Sequence, residues 1–179
     1  MAKTDIRFGG FGGQGIITAS YIIGIAGVMH EGKDALQTQS FGTQARGGQC
    51  RAEVMISDIP LSYAPMTSSD ALVVMSQPAL DSYLKSLKPG GLLIVDSSIV
   101  KDIPERDDIE IIRIPASEMA TKMGNKVIAN MILVGALVEK MGLVKRESLT
   151  KAIEDTVPSR FVELNIQAIE EGRKLVQAS

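Results

Sequence analysis

The sequence predicts an α/β protein with a mainly parallel sheet between layers of helices and a helical C-terminal region. Near the N-terminus, apolar residues 6–8 run into a glycine-rich turn, and a segment of helical character follows. The runs 71–75 and 92–95 are continuously apolar, as expected of parallel strands that are covered on both faces. Strand, glycine turn and helix in this order are typical of a Rossmann-like, three-layer α/β/α fold.

The composition is that of one soluble globular domain, and we expect residues 1–179 to form it. The chain has 45% hydrophobic and 22% charged residues, and its net charge of −2 gives no general attraction to nucleic acid or anionic membranes. Lys3, Asp5 and Arg7 replace the apolar run of a secretory signal, and no apolar stretch reaches the roughly 20 residues of a membrane-spanning helix. We therefore expect a cytoplasmic protein without nucleic-acid or membrane partners.

The first part of the chain is predicted to hold one helix and three strands. Gly32 follows the helix as a stop signal, because glycine tolerates the left-handed conformation at helix ends. Residues 49–57 alternate between apolar and polar side chains, which indicates a half-buried strand. The predicted elements are a strand at 6–8, a helix at 16–29, a strand at 35–39, a loop at 40–48 and the strand at 49–57.

The remaining elements follow from apolar runs, turn residues and helical spacing. Pro78 suits the first turn of a helix, and Asn125 and Gly142 suit the two ends of a later one. The predicted elements are strands at 71–75, 92–95 and 109–114, a turn at 88–91, and helices at 78–87, 127–141, 146–157 and 161–176. The apolar stripe of the last helix is expected to comprise Phe161, Leu164, Ala168, Gly172 and Leu175.

The glycine-rich turn is the first candidate binding site. Its residues Gly10, Gly12, Gly13, Gln14 and Gly15 precede a helix, where exposed backbone N–H groups and the helix dipole favour a phosphate or carboxylate. The alternative is that the glycines only allow tight packing of strand against helix. A bound NAD is disfavoured, because residues 37–40 lack the acidic side chain that holds the ribose at the end of the second strand.

A second glycine-containing loop is expected at the same edge of the sheet. Ser40, Arg46, Gly47 and Gly48 follow the second strand, so this loop and the first glycine turn can face one site. The planar guanidinium of Arg46 suits a phosphate or carboxylate, and Arg46 is the candidate for a catalytic role. The alternative is a structural arginine that holds its own loop in place.

Many short motifs in one order resemble the γ subunit of 2-oxoacid:ferredoxin oxidoreductases, the family of pyruvate and 2-oxoglutarate ferredoxin oxidoreductases. The resemblance covers almost the whole chain. It is carried by the two glycine loops and by the motifs at 39–42, 52–57, 76–79, 90–91, 96–97, 124–125, 129–131, 135–136, 163–165, 168 and 172.

The resemblance implies a 2-oxoacid oxidised on thiamine diphosphate and Mg in partner subunits, electron transfer through iron–sulfur clusters to ferredoxin, and acyl transfer to CoA. The chain itself has no Gly-Asp-Gly element and only one cysteine, whereas clusters need about four thiolates. The implied partners are α, β and ferredoxin-like δ subunits, with 2-oxoglutarate as the favoured substrate. The implied task of this chain, inactive alone, is to complete the active site and to admit CoA.

Two further residues, Cys50 and His30, are expected to have no role in catalysis, and the role of Asp96 is open. Alternation in the strand makes Cys50 a core residue, and it is not expected to act as a redox thiol. His30 has no clustered ligands, so we expect an exposed imidazole at a helix end and no metal site. Asp96 follows a strand, where it can cap a turn or belong to a site.

Other functions remain open from the sequence. One is a free-standing regulator that binds a nucleotide or CoA, another is the small subunit of an indolepyruvate oxidoreductase, and the weakest is a complete NAD oxidoreductase. The last lacks the acidic ribose ligand and an evident acid–base pair.

Overall fold

The computed structural model describes residues 3–41 and 48–177, apart from the side chain of Phe41. The strands are β1 (Thr4–Phe11), β2 (Asp34–Phe41), β3 (Gln49–Ser57), β4 (Ser69–Val74), β5 (Leu87–Asp96) and β6 (Glu110–Ile114). The helices are α1 (Ile16–Glu31), α2 (Gln77–Tyr83), α3 (Ala116–Lys122), α4 (Ala129–Met141), α5 (Arg146–Thr156) and α6 (Ser159–Gln177), with 3₁₀ turns at Leu84–Ser86 and Lys126–Ile128.

The strands form one sheet in the order β2-β3-β1-β4-β5-β6. Strands β1, β4, β5 and β6 are parallel neighbours, whereas β3 runs antiparallel to both β1 and β2. Strand β2 therefore points in the same direction as β1. The predicted α/β class with a mainly parallel sheet is confirmed, and β3 is the exception.

Helices cover both faces of the sheet, and each face has its own apolar core. Ile6, Phe8 and Val73 point into the larger core, which is completed by α1 and the C-terminal helices. Leu72 and Val74 point into a smaller core under α2. Alternate residues of β4 thus enter different cores, which explains why its sequence is continuously apolar.

The region between α2 and β5 differs from the prediction. The predicted helix at 78–87 ends at Tyr83 and tightens into the 3₁₀ turn, and β5 begins at Leu87, within the expected turn region. The turn is present as an irregularity of the strand: the pairing shifts between Ser69 and Ala71, and Gly90 has a φ of 74°. The turn residues therefore form an irregularity at the start of β5, and they do not end its pairing with β4.

The C-terminal helices α4 and α6 pack at very short range. A Cβ atom added to Gly172 would lie 1.8 Å from the carbonyl oxygen of Ile132, so only glycine permits this crossing. The buried residues of α6 are Asn165, Ala168, Ile169 and Gly172. The predicted stripe is confirmed at Leu164, which packs against the larger core, and at Ala168 and Gly172. It was wrong at Leu175, which is 38% exposed, and Phe161 is only half-buried. Among the helices of the described ranges, none is long and apolar enough to cross a bilayer.

Candidate functional site

The glycine turn joins β1 to α1 at the edge of the sheet where the parallel strands end. Gly13 and Gly15 have φ angles of 98° and 74°, in the left-handed region that disfavours other residues. Gly15 directly precedes α1, whose first turn contains no acidic residue. The local positive end of this helix is therefore not neutralised by its own side chains.

The side chain of Gln14 fixes the conformation of the turn. Its Oε1 accepts a hydrogen bond from the backbone N–H of Phe11 at 2.6 Å, and its Nε2 donates to the carbonyl oxygen of Met75 at 2.8 Å. A Cβ on Gly10 would lie 2.5 Å from this Oε1, so glycine at position 10 makes room for the glutamine. Gln14 therefore braces the turn, and its amide is already engaged.

The first N–H groups of α1 are available to a ligand. The first helical hydrogen bond of α1 runs from the backbone N–H of Ala19 to the carbonyl oxygen of Gly15, at 3.0 Å. Within 3–41 and 48–177, no acceptor is hydrogen-bonded to the N–H groups of Ile16, Ile17 and Thr18. Three free donors at a positive helix end can bind a phosphate or a carboxylate.

A cavity of about 350 Å³ lies next to this helix start. Asn130 of α4 forms part of its wall and donates a hydrogen bond from Nδ2 to the carbonyl oxygen of Gly15. The other lining residues come from the start of α1, the 3₁₀ turn before α4, and the connection between α5 and α6: Gly15, Thr18, Asn125, Val127, Ile128, Met131, Thr156, Val157, Pro158, Phe161 and Asn165. The wall is mostly apolar with a few amide and hydroxyl groups, as in many small-molecule sites.

The second loop reaches the same edge, as predicted. The backbone N–H of Gly12 donates to the carbonyl oxygen of Gly48 at 2.9 Å, so the two loops are in direct contact. Arg46 and Gly47 lie outside the described residues. Ser40 is assigned to β2, where a loop was expected, and its side chain is exposed.

On the sheet face beneath α2, Arg7 and Glu53 form a buried ion pair. The Nε and Nη2 atoms of Arg7 each lie 2.8 Å from Oε1 of Glu53, while Thr38 donates to Oε2 at 3.0 Å. Arg7 also donates to Ser86 Oγ and to the carbonyl oxygen of Met66. Glu53 is thereby fully engaged by β1 and β2.

A second arginine, Arg51, lies on the same face and was not singled out from the sequence. Its Nε is 3.5 Å from Oε1 of Glu53, and its guanidinium carbon is 5.8 Å from the centre of the Tyr83 ring. It opposes Ser40 across the pairing of β2 with β3. The alternation of 49–57 already predicts that Arg51 and Glu53 lie on one face of the strand. Only the tertiary structure shows that Glu53 is paired with Arg7.

The structure shows the environments of Cys50, which was expected to be a core residue, and of Asp96, whose role was open. Cys50 is buried with 3% exposure, and burial raises the pKa of its thiol, as expected of a core cysteine. Asp96 is also buried and accepts hydrogen bonds from Ser98 and Ser117, so it caps the turn after β5 and the start of α3. Because these hydrogen bonds occupy the carboxylate of Asp96, the structure favours a capping role for it over a role in ligand binding.

The prediction that the His30 imidazole is exposed was wrong. Its Nε2 lies 2.8 Å from Oδ2 of Asp155, and the side chain is 19% exposed, because α5 packs beside the end of α1. Within the described ranges, no group of three or more His, Cys, Asp or Glu residues is arranged to hold a metal ion.

The fold and sequence match known proteins along nearly the whole chain. The family model of pyruvate ferredoxin/flavodoxin oxidoreductase matches residues 5–175. The 2-oxoglutarate synthase subunit KorC of Methanothermobacter marburgensis is 43% identical over 180 residues, covering 97% of both chains. The crystal structure of the keto/oxoacid ferredoxin oxidoreductase gamma subunit from Geobacter sulfurreducens is similar with a TM-score of 0.87 and 37% identity, covering 98% of this chain and 99% of that one.

A longer protein contains the same fold as one part. The 2-oxoglutarate:ferredoxin oxidoreductase of Magnetococcus marinus aligns with a TM-score of 0.90 and 23% identity, over 100% of this chain but only 32% of that chain. Because the family model and the relatives of similar length both cover nearly all residues, the chain belongs to the pyruvate ferredoxin/flavodoxin oxidoreductase family, as a gamma subunit of a 2-oxoacid:ferredoxin oxidoreductase.

Proposed function

We propose that this gamma subunit serves a complex that oxidises 2-oxoglutarate to succinyl-CoA and CO₂, with ferredoxin as electron acceptor. The choice of 2-oxoglutarate is supported by the 43% identity to a 2-oxoglutarate synthase subunit over nearly the full length. The chain completes the active site and forms part of the path by which CoA enters. It is inactive alone, and the α, β and ferredoxin-like δ subunits are its partners.

The cofactors of the reaction belong to the partner subunits in this proposal. Thiamine diphosphate supplies the stabilised carbanion needed to decarboxylate a 2-oxoacid, and Mg and iron–sulfur clusters accompany it there. The residues of this chain do not fit those groups, because its only cysteine is buried in the core and the sequence contains no Gly-Asp-Gly element. What the chain offers instead is a set of donors for an anion.

The observation that carries the proposal is the contact between the two glycine loops. The hydrogen bond from Gly12 holds Gly48, the last residue of the second loop, against the glycine turn that leads into α1. CoA carries a pyrophosphate and a 3′-phosphate, which are the chemical groups that a helix start and nearby guanidinium groups bind. The Magnetococcus protein of the same fold is described with 2-oxoglutarate, coenzyme A and succinyl-CoA bound, which is consistent with this use of the fold.

Substitution of Arg46 tests the role of this edge. In the assembled complex, Arg46→Lys keeps the charge and loses the planar fork, so we expect CoA-dependent turnover to fall roughly tenfold or more, about 1.4 kcal/mol. The partial reaction that precedes CoA should change less. Arg113→Lys, on the exposed surface of the distant strand β6, is the control.

The same measurements separate this role from the structural alternative. A structural Arg46 would give a lower melting temperature or weaker assembly, with normal turnover per assembled complex. Unchanged CoA-dependent turnover would remove Arg46 from the site. The purified chain alone should oxidise no 2-oxoacid with any electron acceptor, and turnover by the chain alone would contradict the proposal. Recovery as a monomer that binds CoA, with no partners in a native extract, would favour a free-standing regulator.

A further inference from the structure

The charges beneath α2 leave one guanidinium without a partner of its own. Both oxygens of Glu53 are taken, Oε1 by Arg7 at 2.8 Å and Oε2 by Thr38 at 3.0 Å. Arg51 stands 3.5 Å from Oε1 and makes no hydrogen bond with any residue in 3–41 or 48–177. Two positive charges therefore share one negative charge, and the outer arginine keeps its donors free.

The side chain of Arg51 is nevertheless held in position. The guanidinium carbon of Arg51 lies over the ring of Tyr83, 5.8 Å from the ring centre, and that of Arg7 lies 5.6 Å from the same centre. Tyr83 is itself fixed over Gly9, where an added Cβ would lie 3.0 Å from the ring. The guanidinium of Arg51 thus has a planar support while its side chain remains 37% exposed. A guanidinium that is held in position and has unused N–H donors is suited to binding an external anion.

Arg51 lies three residues after Gly48, on the other face of the sheet from α1. It pairs with Gly9 of β1 and with Ser40 of β2, both near the ends of their strands. Directly opposed residues on one sheet face have Cβ atoms roughly 5 Å apart, so the exposed Ser40 hydroxyl can reach the same ligand. The free N–H groups of α1 and the fork of Arg51 therefore flank the loop contact from opposite faces of the sheet.

We infer that Arg51, with Ser40 opposite it, binds the 3′-phosphate of CoA. This inference rests on the proposed CoA path and deepens it. CoA has two separate anionic groups, and the edge has two sets of unused donors. The pyrophosphate matches the helix start, which offers backbone N–H groups, and the terminal phosphate matches the guanidinium and hydroxyl.

The test measures CoA binding by the assembled complex without 2-oxoacid, using isothermal titration calorimetry. For Arg51→Gln, we expect the Kd of CoA to rise roughly tenfold, since a charge-assisted hydrogen bond to phosphate is lost. The Kd of 3′-dephospho-CoA should be the same for wild type and variant. Arg51→Lys should give an intermediate loss, and Arg113→Gln on β6 should bind CoA as the wild type does.

Other results would overturn the inference in distinguishable ways. Equal weakening of CoA and 3′-dephospho-CoA would assign Arg51 to the pyrophosphate. Normal CoA binding with a reduced yield of assembled complex would assign it to a carboxylate of a partner subunit. If Arg51→Gln has no effect while Arg46→Lys slows CoA-dependent turnover, only this inference fails; if neither variant affects CoA, the proposed path fails as well.

Discussion

The side-chain amide of Asn130 donates to the carbonyl oxygen of Gly15 at 3.0 Å, which ties the fourth helix to the glycine turn. A Cβ on Gly15 would lie 2.3 Å from the same amide nitrogen. Asn130 is 4% exposed, and its orientation is fixed because Oδ1 accepts a hydrogen bond from the backbone N–H of Met131 at 2.8 Å. Asn130 in this position therefore requires a glycine at position 15, and its hydrogen bond in turn stabilises the glycine turn.

Gly15→Ala is expected to destabilise the chain by at least about 2 kcal/mol, because it combines a strained positive φ with this steric conflict. In the Asn130→Ala background, the same change should cost only about 1 kcal/mol, the cost of the left-handed backbone for a residue with a Cβ. Urea unfolding of the four proteins in this double-mutant cycle measures the difference. Equal costs in both backgrounds would show that Asn130 does not restrict position 15.

Gln14→Glu should destabilise the chain by about 1–3 kcal/mol, because a carboxylate oxygen replaces the Nε2 donor that faces the carbonyl oxygen of Met75. The remaining oxygen can still accept from Phe11, so the net loss is that of the Met75 contact, reduced by the favourable interaction of the new charge with the start of α1. Gln39→Glu, at an exposed position of β2, is the matched control and should be nearly neutral in urea unfolding. A neutral Gln14→Glu would mean that the brace contributes nothing.

Cys50 should react slowly with a disulfide reagent such as Ellman's reagent in the native chain and rapidly in urea. Burial raises its pKa, so little of the nucleophilic thiolate forms near neutral pH. Cys50→Ala carrying Asp107→Cys, which places one thiol at an exposed position, is the control and should react at once. Fast labelling of native Cys50 would reopen a redox role.

Glu139 is expected to stabilise the junction of α4 and α6 at neutral pH but not in acid. Hydrogen bonds from Gln177 and Arg173 lower its pKa below the usual 4.5. A depressed folded-state pKa means that the stabilisation is present above about pH 4.5 and is lost as the pH falls through the folded-state value.

Urea unfolding of Glu139→Gln at pH 7 should therefore show a loss of up to about 1 kcal/mol, small because the carboxylate is one quarter exposed. At a pH below the folded-state pKa the loss should disappear. Glu154→Gln, at an exposed position of α5, should show no such dependence. A loss that persists unchanged in acid would assign the effect to packing.

Local patterns predicted most of the secondary structure. The left-handed glycines at positions 15, 32 and 142 mark helix boundaries that could be read from the sequence, since few other residues adopt that conformation. The stripe of α6 was less predictable, because Asn165 is buried and bonded to the carbonyl oxygen of Phe161 while Leu175 is exposed. The close crossing with α4 selects small residues there, and hydrophobicity alone does not report that.

The position of the candidate site could be predicted from the sequence, but most of the contacts made there could not. The order of strand, glycine turn and helix located the edge, and the Gly12–Gly48 hydrogen bond confirms that the two loops meet there. The engaged state of Gln14 and the unmatched charge of Arg51 depend on Met75, Arg7 and Tyr83. Those partners are distant in sequence, so no local pattern could reveal them.

The reversed direction of β3 decides how the candidate edge can vary in evolution. Because β3 enters the sheet at this edge, Gln49 to Arg51 are its first residues, and they pair with Phe11, Gly10 and Gly9 of β1. A one-residue slip within β3 would exchange Cys50 and Ala52 with Arg51 and Glu53, which would put charges into the larger core. The alternation of β3 is therefore held fixed by folding, so the side chains that it presents at this edge can be exchanged only for others of similar polarity.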